Sequence, residues 1–317
     1  MLNTKRFVRL GVAVAMLSLV AACGDDGGGG GGGSDVLEGK SFTVGSKEFT
    51  EQKILGAIAI QALEDAGAEV ADETGIEGTA NVRTALESGE IDMYWEYTGT
   101  GWVDILGNTT ADAPKDPQEL FDAVAEADAE NGVMWITKSE ANDTYAFAAS
   151  QETVDELGVT TISDYAALAN SDPESASLCA AAEFLDREDG FPGVEEAYDF
   201  DLPDAQITEV DLEIVYTALP ERDPCNFGEV FESAGQIPAN DLVVLEDDKQ
   251  FFPGYEVAMT ITEDALAGSP EVEDVLQPIA DALTTEELQK LNAQVDVEGL
   301  PVEAVAQTWL EENGLIG

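Results

Sequence analysis

The sequence predicts an α/β protein of two lobes around a cleft, with a helical tail. Strand-like and helix-like segments alternate from Ser41, the alternation restarts near Ala141, and the chain beyond about Pro270 reads as helix alone. Lobe interfaces of this kind favour ligands.

In the first half, "SFTVGS" at 41–46 reads as a buried strand. A helix over Glu51–Asp65 follows, with Thr50 as N-cap, Ile54, Leu55, Ile58, Ala62 and Leu63 as its apolar stripe, and Gly67 as its stop. "AEVAD" is a second strand, Asn81–Ser88 a helix closed by Gly89, and "IDMYWEY" a strand running into the turn at Gly99 and Gly101. A helix over Pro117–Asn131 leads to the strand "VMWIT". The rhythm predicts a sheet of mostly parallel strands.

In the second half, "TYAFAAS" is extended, Ser163–Asn170 is a helix capped by Ser163, and "SASLCAAAEF" is a strand. Helices at Glu195–Phe200 and Glu213–Leu219 alternate with strands "AQITEV" and "FGEVFES". "DLVVLED" and "YEVAMTI" are strands again. The tail reads as helices at Pro270–Leu283, Glu286–Leu291 behind a Thr284…Glu287 capping box, and Pro301–Asn313.

The N-terminus reads as an export leader. Lys5, Arg6 and Arg9 precede an apolar core at Leu10–Val20 that is too short to span a bilayer. It ends in Leu19-Val20-Ala21-Ala22-Cys23, the pattern of a lipobox in which Cys23 takes the lipid. A Gly-rich flexible tether follows over 24–38. The expected product is an extracytoplasmic monomer, lipid-anchored to the bacterial cell membrane.

Charge is extreme: 66 acidic residues against 13 Lys and Arg give a formal net charge of −53, and there is no His. The acid is spread along the chain, which suits a halophilic protein in screening salt. Nucleic acid is not an expected partner, because phosphate contacts need basic patches. Beyond Cys23 only Cys179 and Cys225 remain, read as a disulfide ahead of a metal site in an exported chain. No metal, cofactor or catalytic residue is expected. The chain has no His, no Gly-x-Ser-x-Gly elbow and no phosphate-cradling Gly loop, which leaves a secreted hydrolase as a remote alternative.

Six segments, in order, are "VGSKEFTEQKILG", "ALESGEIDMYWEYTGTGW", "NDTYAFA", "EFLDREDGFPGVEEAY", "DLVVLEDDKQFFPGY" and "LTTEELQKLNAQVDVEG". Together they resemble the substrate-binding proteins of bacterial osmoprotectant ABC importers, the glycine betaine/proline betaine/choline class. The resemblance implies a type II periplasmic-binding-protein fold with two crossover segments. It places lobe 1 at 39–139 and 247–317 and lobe 2 at 140–246. It also implies a transmembrane permease as partner.

The resemblance further implies an ammonium cage of Tyr97, Tyr145, Tyr255 and Phe231, the last departing from an expected Tyr. A trimethylammonium group donates no hydrogen bond, so ring faces hold it, at roughly 0.5–2 kcal/mol each. For the carboxylate of a betaine, the resemblance points to Lys47, Arg187 and Thr100. Arg grips a carboxylate bidentately and Lys acts as a point charge. Choline lacks that carboxylate and would leave the two cations unpaired in a closed cleft, which ranks glycine or proline betaine above choline; a choline- or carnitine-preferring binding protein of the same family is the alternative. Tyr94, Trp95 and Tyr216 read instead as core rings.

Overall fold

The computed structural model describes residues 35–317; the leader, Cys23 and the Gly run expected before them lie outside these residues. Ten strands occur among the described residues: β1 (Ser41–Lys47), β2 (Glu69–Ile76), β3 (Met93–Tyr97), β4 (Val133–Asn142), β5 (Tyr145–Ser150), β6 (Leu178–Ala180), β7 (Ile207–Glu209), β8 (Phe227–Phe231), β9 (Leu242–Val244) and β10 (Glu256–Thr262). They form two five-stranded sheets in the orders β2-β1-β3-β10-β4 and β7-β6-β8-β5-β9. The chain passes from the first sheet to the second at Asp143–Thr144 and returns between Val244 and Glu256.

The sheets are mixed, which corrects the expectation of mostly parallel strands. β1 pairs parallel with β2 and β3, and β6 pairs parallel with β7 and β8. β10 is antiparallel to β3 and β4, and β5 is antiparallel to β8 and β9. β5 and β10 are the strands that follow the two passages between sheets. Each enters its sheet from the opposite end to its neighbours, so periodicity carries no trace of its direction.

Several boundaries moved for local reasons. Phe49, not Thr50, occupies the N-cap of the helix Thr50–Asp65, and the Thr50 hydroxyl instead reaches Asp296 at 2.6 Å. Thr161 caps the helix Ile162–Ser171 in a reciprocal box with Asp164, in place of Ser163. The expected strand "SASLCAAAEF" shrinks to β6, and Ala182–Asp186 turns helical. Short helices escaped the pattern, among them Gln151–Leu157 capped by Ser150 and Glu263–Gly268 capped by Thr262. The first lobe begins before Gly39, within the expected tether: Leu37 is fully buried and its N–H donates to the Ala66 carbonyl at 2.9 Å.

The helix Thr50–Asp65 packs on the first sheet with the tail helix Val302–Glu312, placing Ile54, Leu55, Ile58 and Leu63 in one core with Trp309 and Leu310. A second core behind the first sheet holds Tyr94, Trp135 and Val82. A third, behind the second sheet, surrounds the Cys179–Cys225 disulfide and holds Val215, Tyr216 and Leu219. The bridge closes a separation of 46 residues, for which chain-entropy arguments give about 4 kcal/mol.

Candidate ligand-binding site

A cavity of ≈ 1130 Å³ opens between the ends of the two sheets. Lys47 and Phe49 reach it from the turn after β1, Tyr97 and Thr100 from the end of β3, and Tyr255 from the start of β10. From the other sheet come Tyr145 at the start of β5, and Glu229 and Phe231 on one face of β8. Of the seven ligand residues expected from the sequence, six line this cavity. Arg187 lies just behind its wall, with its guanidinium 5.6 Å from the Tyr145 ring centre.

The rings form a continuous wall. Phe231 lies opposite Tyr145 in the β5–β8 ladder, and their centroids are 5.0 Å apart. Tyr255 meets Tyr145 edge-on at 5.4 Å. Phe49, which the sequence reading passed over, closes the gap to the first half: its centroid lies 5.5 Å from Phe231 and 6.4 Å from Tyr97. The sequence offered no signal for Phe49, because Thr50 beside it is the better capping residue and only the structure puts Phe49 at the N-cap. Gly99 lets the β3 turn approach: a Cβ there would sit 2.7 Å from the Tyr255 ring. Tyr94 and Trp95 are buried away from the cavity, and Tyr216 sits behind Phe231, accepting its N–H at 3.0 Å.

Carboxylates stand behind the rings. Tyr97 donates its hydroxyl to Glu51 at 2.8 Å and Tyr255 donates to Asp189 at 2.6 Å. Burial first, and then these anions, push both phenols well above their ordinary range, so both stay neutral. A neutral phenol donating to an anion leaves its ring face more electron-rich, which favours a cation over that face.

The two cations are partnered within the protein. Lys47 Nζ lies 2.7 Å from buried Glu96 and 5.2 Å from the Tyr97 ring centre. Arg187 grips Asp189 through Nε and Nη2 at 2.7 and 2.6 Å, gives Nη1 to Glu183 at 2.9 Å, and approaches Thr100 at 3.4 Å. The premise that an absent ligand carboxylate leaves them unpaired therefore does not hold.

Direct bonds tie the two halves across the cleft, including Thr79 to Glu183 at 2.6 Å and Tyr255 to Asp189. Glu229 lies deeper in the wall, 2 % exposed, with Oε2 accepting the Ala181 N–H at 2.8 Å. Burial pushes its carboxyl up to about 8; the Ala181 N–H opposes the shift and the Glu183 charge adds to it. Its unfolded form ionises near 4.5, so the folded state holds an extra proton between these values. Stability from this group is complete below pH ~4.5 and declines by roughly 1.4 kcal/mol per pH unit up to about 8. Glu229→Gln should therefore gain on the wild type as pH rises from 5 to about 8, read as the difference in denaturant midpoints; parallel curves would refute it.

A ligand cleft between two mixed α/β halves, walled by aromatic rings and crossed twice by the chain, defines a solute-binding protein of the type II periplasmic-binding-protein fold. This chain belongs to the family described as the substrate binding domain of ABC-type glycine betaine transport system, whose model matches residues 40–312. It is 33% identical over 284 residues to the glycine-betaine-binding protein of Pseudomonas aeruginosa, covering 88% of this chain and 90% of that one. It is 32% identical to the ergothioneine transport permease/ergothioneine binding protein EgtU of Helicobacter pylori, over 98% of this chain but 54% of that longer protein. Among solved structures it resembles apo YehZ of Escherichia coli, at TM-score 0.64 and 32% identity, over 87% of this chain and 99% of that one. Substrate-binding proteins of ABC importers work outside the cytoplasm with a transmembrane permease, and this chain is one of them.

Proposed function

We propose that this protein captures a betaine-type osmoprotectant, glycine betaine or proline betaine, and delivers it to its permease from a lipid anchor at Cys23. The trimethylammonium lies against Tyr97, Tyr145, Phe231 and Tyr255, with Phe49 as a fifth face. The observation that carries this reading is the unbroken wall of five rings, each from a different segment, backed by carboxylates. At roughly 0.5–2 kcal/mol per face, four or five faces reach the ~8 kcal/mol of micromolar binding. Lys47 and Thr100 front the cavity as the carboxylate clamp, and Arg187 joins them by exchanging Glu183 for the ligand. The lobes at 39–139 with 247–317 and at 140–246 close around the ligand, which selects the closed state.

The internal pairing of Lys47 and Arg187 favours a second reading, in which a net cation such as choline binds without leaving a charge unmatched. Titrating Trp fluorescence in high salt with glycine betaine, proline betaine, choline, carnitine and ergothioneine separates the two. Binding of the betaines at least tenfold tighter than choline supports the clamp; choline binding best would overturn it. Phe49→Ala should weaken every trimethylammonium ligand by roughly 3–30-fold, the worth of one ring face. An unchanged affinity would remove Phe49 from the cage.

A further inference from the structure

Three buried side chains from three segments meet at the cavity wall beside Tyr97. Glu51 comes from the first long helix, Asp143 from the passage between β4 and β5, and Ser233 from the turn after β8. Ser233 Oγ lies 2.5 Å from Glu51 Oε2 and 2.5 Å from Asp143 Oδ1. A hydroxyl has one proton and can donate to only one of two carboxylates. The other contact closes only if that carboxyl carries a proton and donates to Oγ.

Partners decide which carboxyl holds it. Glu51 accepts from Tyr97 OH at 2.8 Å, from Asn292 Nδ2 at 2.8 Å and from Ser233, so three donors already converge on this one carboxyl. Asp143 receives, besides the Ser233 hydroxyl contact, the Ser233 N–H at 3.3 Å, and its carboxyl also faces that of Glu51 within hydrogen-bonding reach, a contact that itself needs a proton on one of the two. Among the described residues neither carboxyl forms an ion pair. The titratable groups facing Asp143 are Glu51, Tyr97 of β3 and Tyr216 of the helix Leu212–Glu221, none of them a cation.

We propose that Asp143 is a protonated positioning residue of this cleft: it donates to Ser233, Ser233 donates to Glu51, and Glu51 holds Tyr97. The relay ties the half built on the first sheet to the half built on the second, and it orients a ring of the ligand wall. Burial, and then the Glu51 charge, raise the Asp143 carboxyl well above its ordinary value, in keeping with this order of donors. When Asp143 gives its proton to solvent at alkaline pH, two anions face one hydroxyl, and the halves lose a bond that favours closure. Asp143 also donates its own N–H to the Tyr255 carbonyl at 3.0 Å, so the disturbance reaches a second ring of the wall.

The test rests on the proposed ligand for one readout only. The full chain, Asp143→Asn and Glu51→Gln are titrated with glycine betaine between pH 6.5 and 9.5, and each is melted without ligand over the same range. The wild-type Kd should rise by about tenfold or more across the range, with a falling Tm, as one proton is lost. Asp143→Asn keeps a neutral donor, so its Kd should stay flat with pH, its Tm should carry only the shallower slope that Glu229 contributes, and it should bind at least tenfold tighter than Asp143→Ala. Glu51→Gln should likewise flatten the Kd curve and reduce the Tm curve to the Glu229 slope, because Asp143 can then ionise and accept the Ser233 hydroxyl. Glu229 is unchanged in all three proteins and contributes the same slope to each. Wild-type slopes surviving in Asp143→Asn or in Glu51→Gln would overturn the relay. If glycine betaine binds none of them, the ligand reading fails, and the ligand-free melts still decide: parallel curves overturn the relay, and a wild-type slope steeper than that of either variant supports it. If Asp143→Asn does not fold, Glu51→Gln decides alone.

Discussion

Arg187→Ala is expected to cost about 3–5 kcal/mol of stability and to abolish tight binding of glycine betaine and choline alike. Asp189 is fully buried, and Arg187 supplies two of its three side-chain bonds and its only ion pair among the described residues. Removing the guanidinium strands that carboxylate, which must then take up a proton or admit water. Tyr255 loses the fixed anion that orients its hydroxyl, so the cage suffers as well as the clamp. The double variant Arg187→Ala/Asp189→Asn separates these effects, since it removes the stranded charge. Its denaturant midpoint should recover most of the loss. If Arg187 also meets the ligand carboxylate, the recovered protein should still bind betaine less well while regaining choline. Recovery of both ligands together would make Arg187 a support for Asp189 and Tyr255 alone.

Arg83→Ala should destabilise the protein by a similar 3–5 kcal/mol and leave ligand affinity within about twofold. Arg83 makes the same kind of grip, two bonds of 2.6 Å to buried Asp128, which also receives Trp135 Nε1 at 2.7 Å and Asn131 Nδ2 at 2.9 Å. This pair sits behind the first sheet and lines no part of the cavity. Burial works against the Asp128 charge, but the bonds from Arg83, Asn131 and Trp135 lower its pKa below the ordinary 3.8. The depressed value contributes stability that is present above pH ~3.8 and lost as pH falls through the folded-state value. Urea unfolding of wild type and Arg83→Ala at pH 7 and pH 3 checks this, since the gap between them should narrow in acid. A gap that stays constant would assign the loss to packing of the Arg83 stem.

The contrast between these arginines shows what a scarce cation reveals in so acidic a chain and what it leaves open. In so acidic a chain a buried Arg or Lys marks a place where charge is required, and Lys47, Arg83 and Arg187 are all such places. Scarcity does not say what the charge is required for. Arg187 was singled out for a ligand carboxylate, yet its first partner is Asp189, two residues along the chain. Arg83, buried by the same logic, had no motif around it and went unremarked. Phe49 was overlooked because a lone Phe beside a helix start carries no periodic signal. It becomes a wall only when β8 brings Phe231 to 5.5 Å from it.

What the sequence determined alone was the alternation of elements, the restart near Ala141, the helical tail and the short motifs that cluster at the cavity. These are local: apolar spacing sets each strand or helix, and a turn residue ends it. The tertiary structure decided the directions of β5 and β10, the partners of Lys47 and Arg187, and the meeting of Glu51, Asp143 and Ser233. All depend on contacts between residues far apart along the chain or on burial that the fold creates. A proton held by Asp143 is the extreme case, since only removal from water and an anion brought from 92 residues away make a carboxyl keep it (143 − 51 = 92).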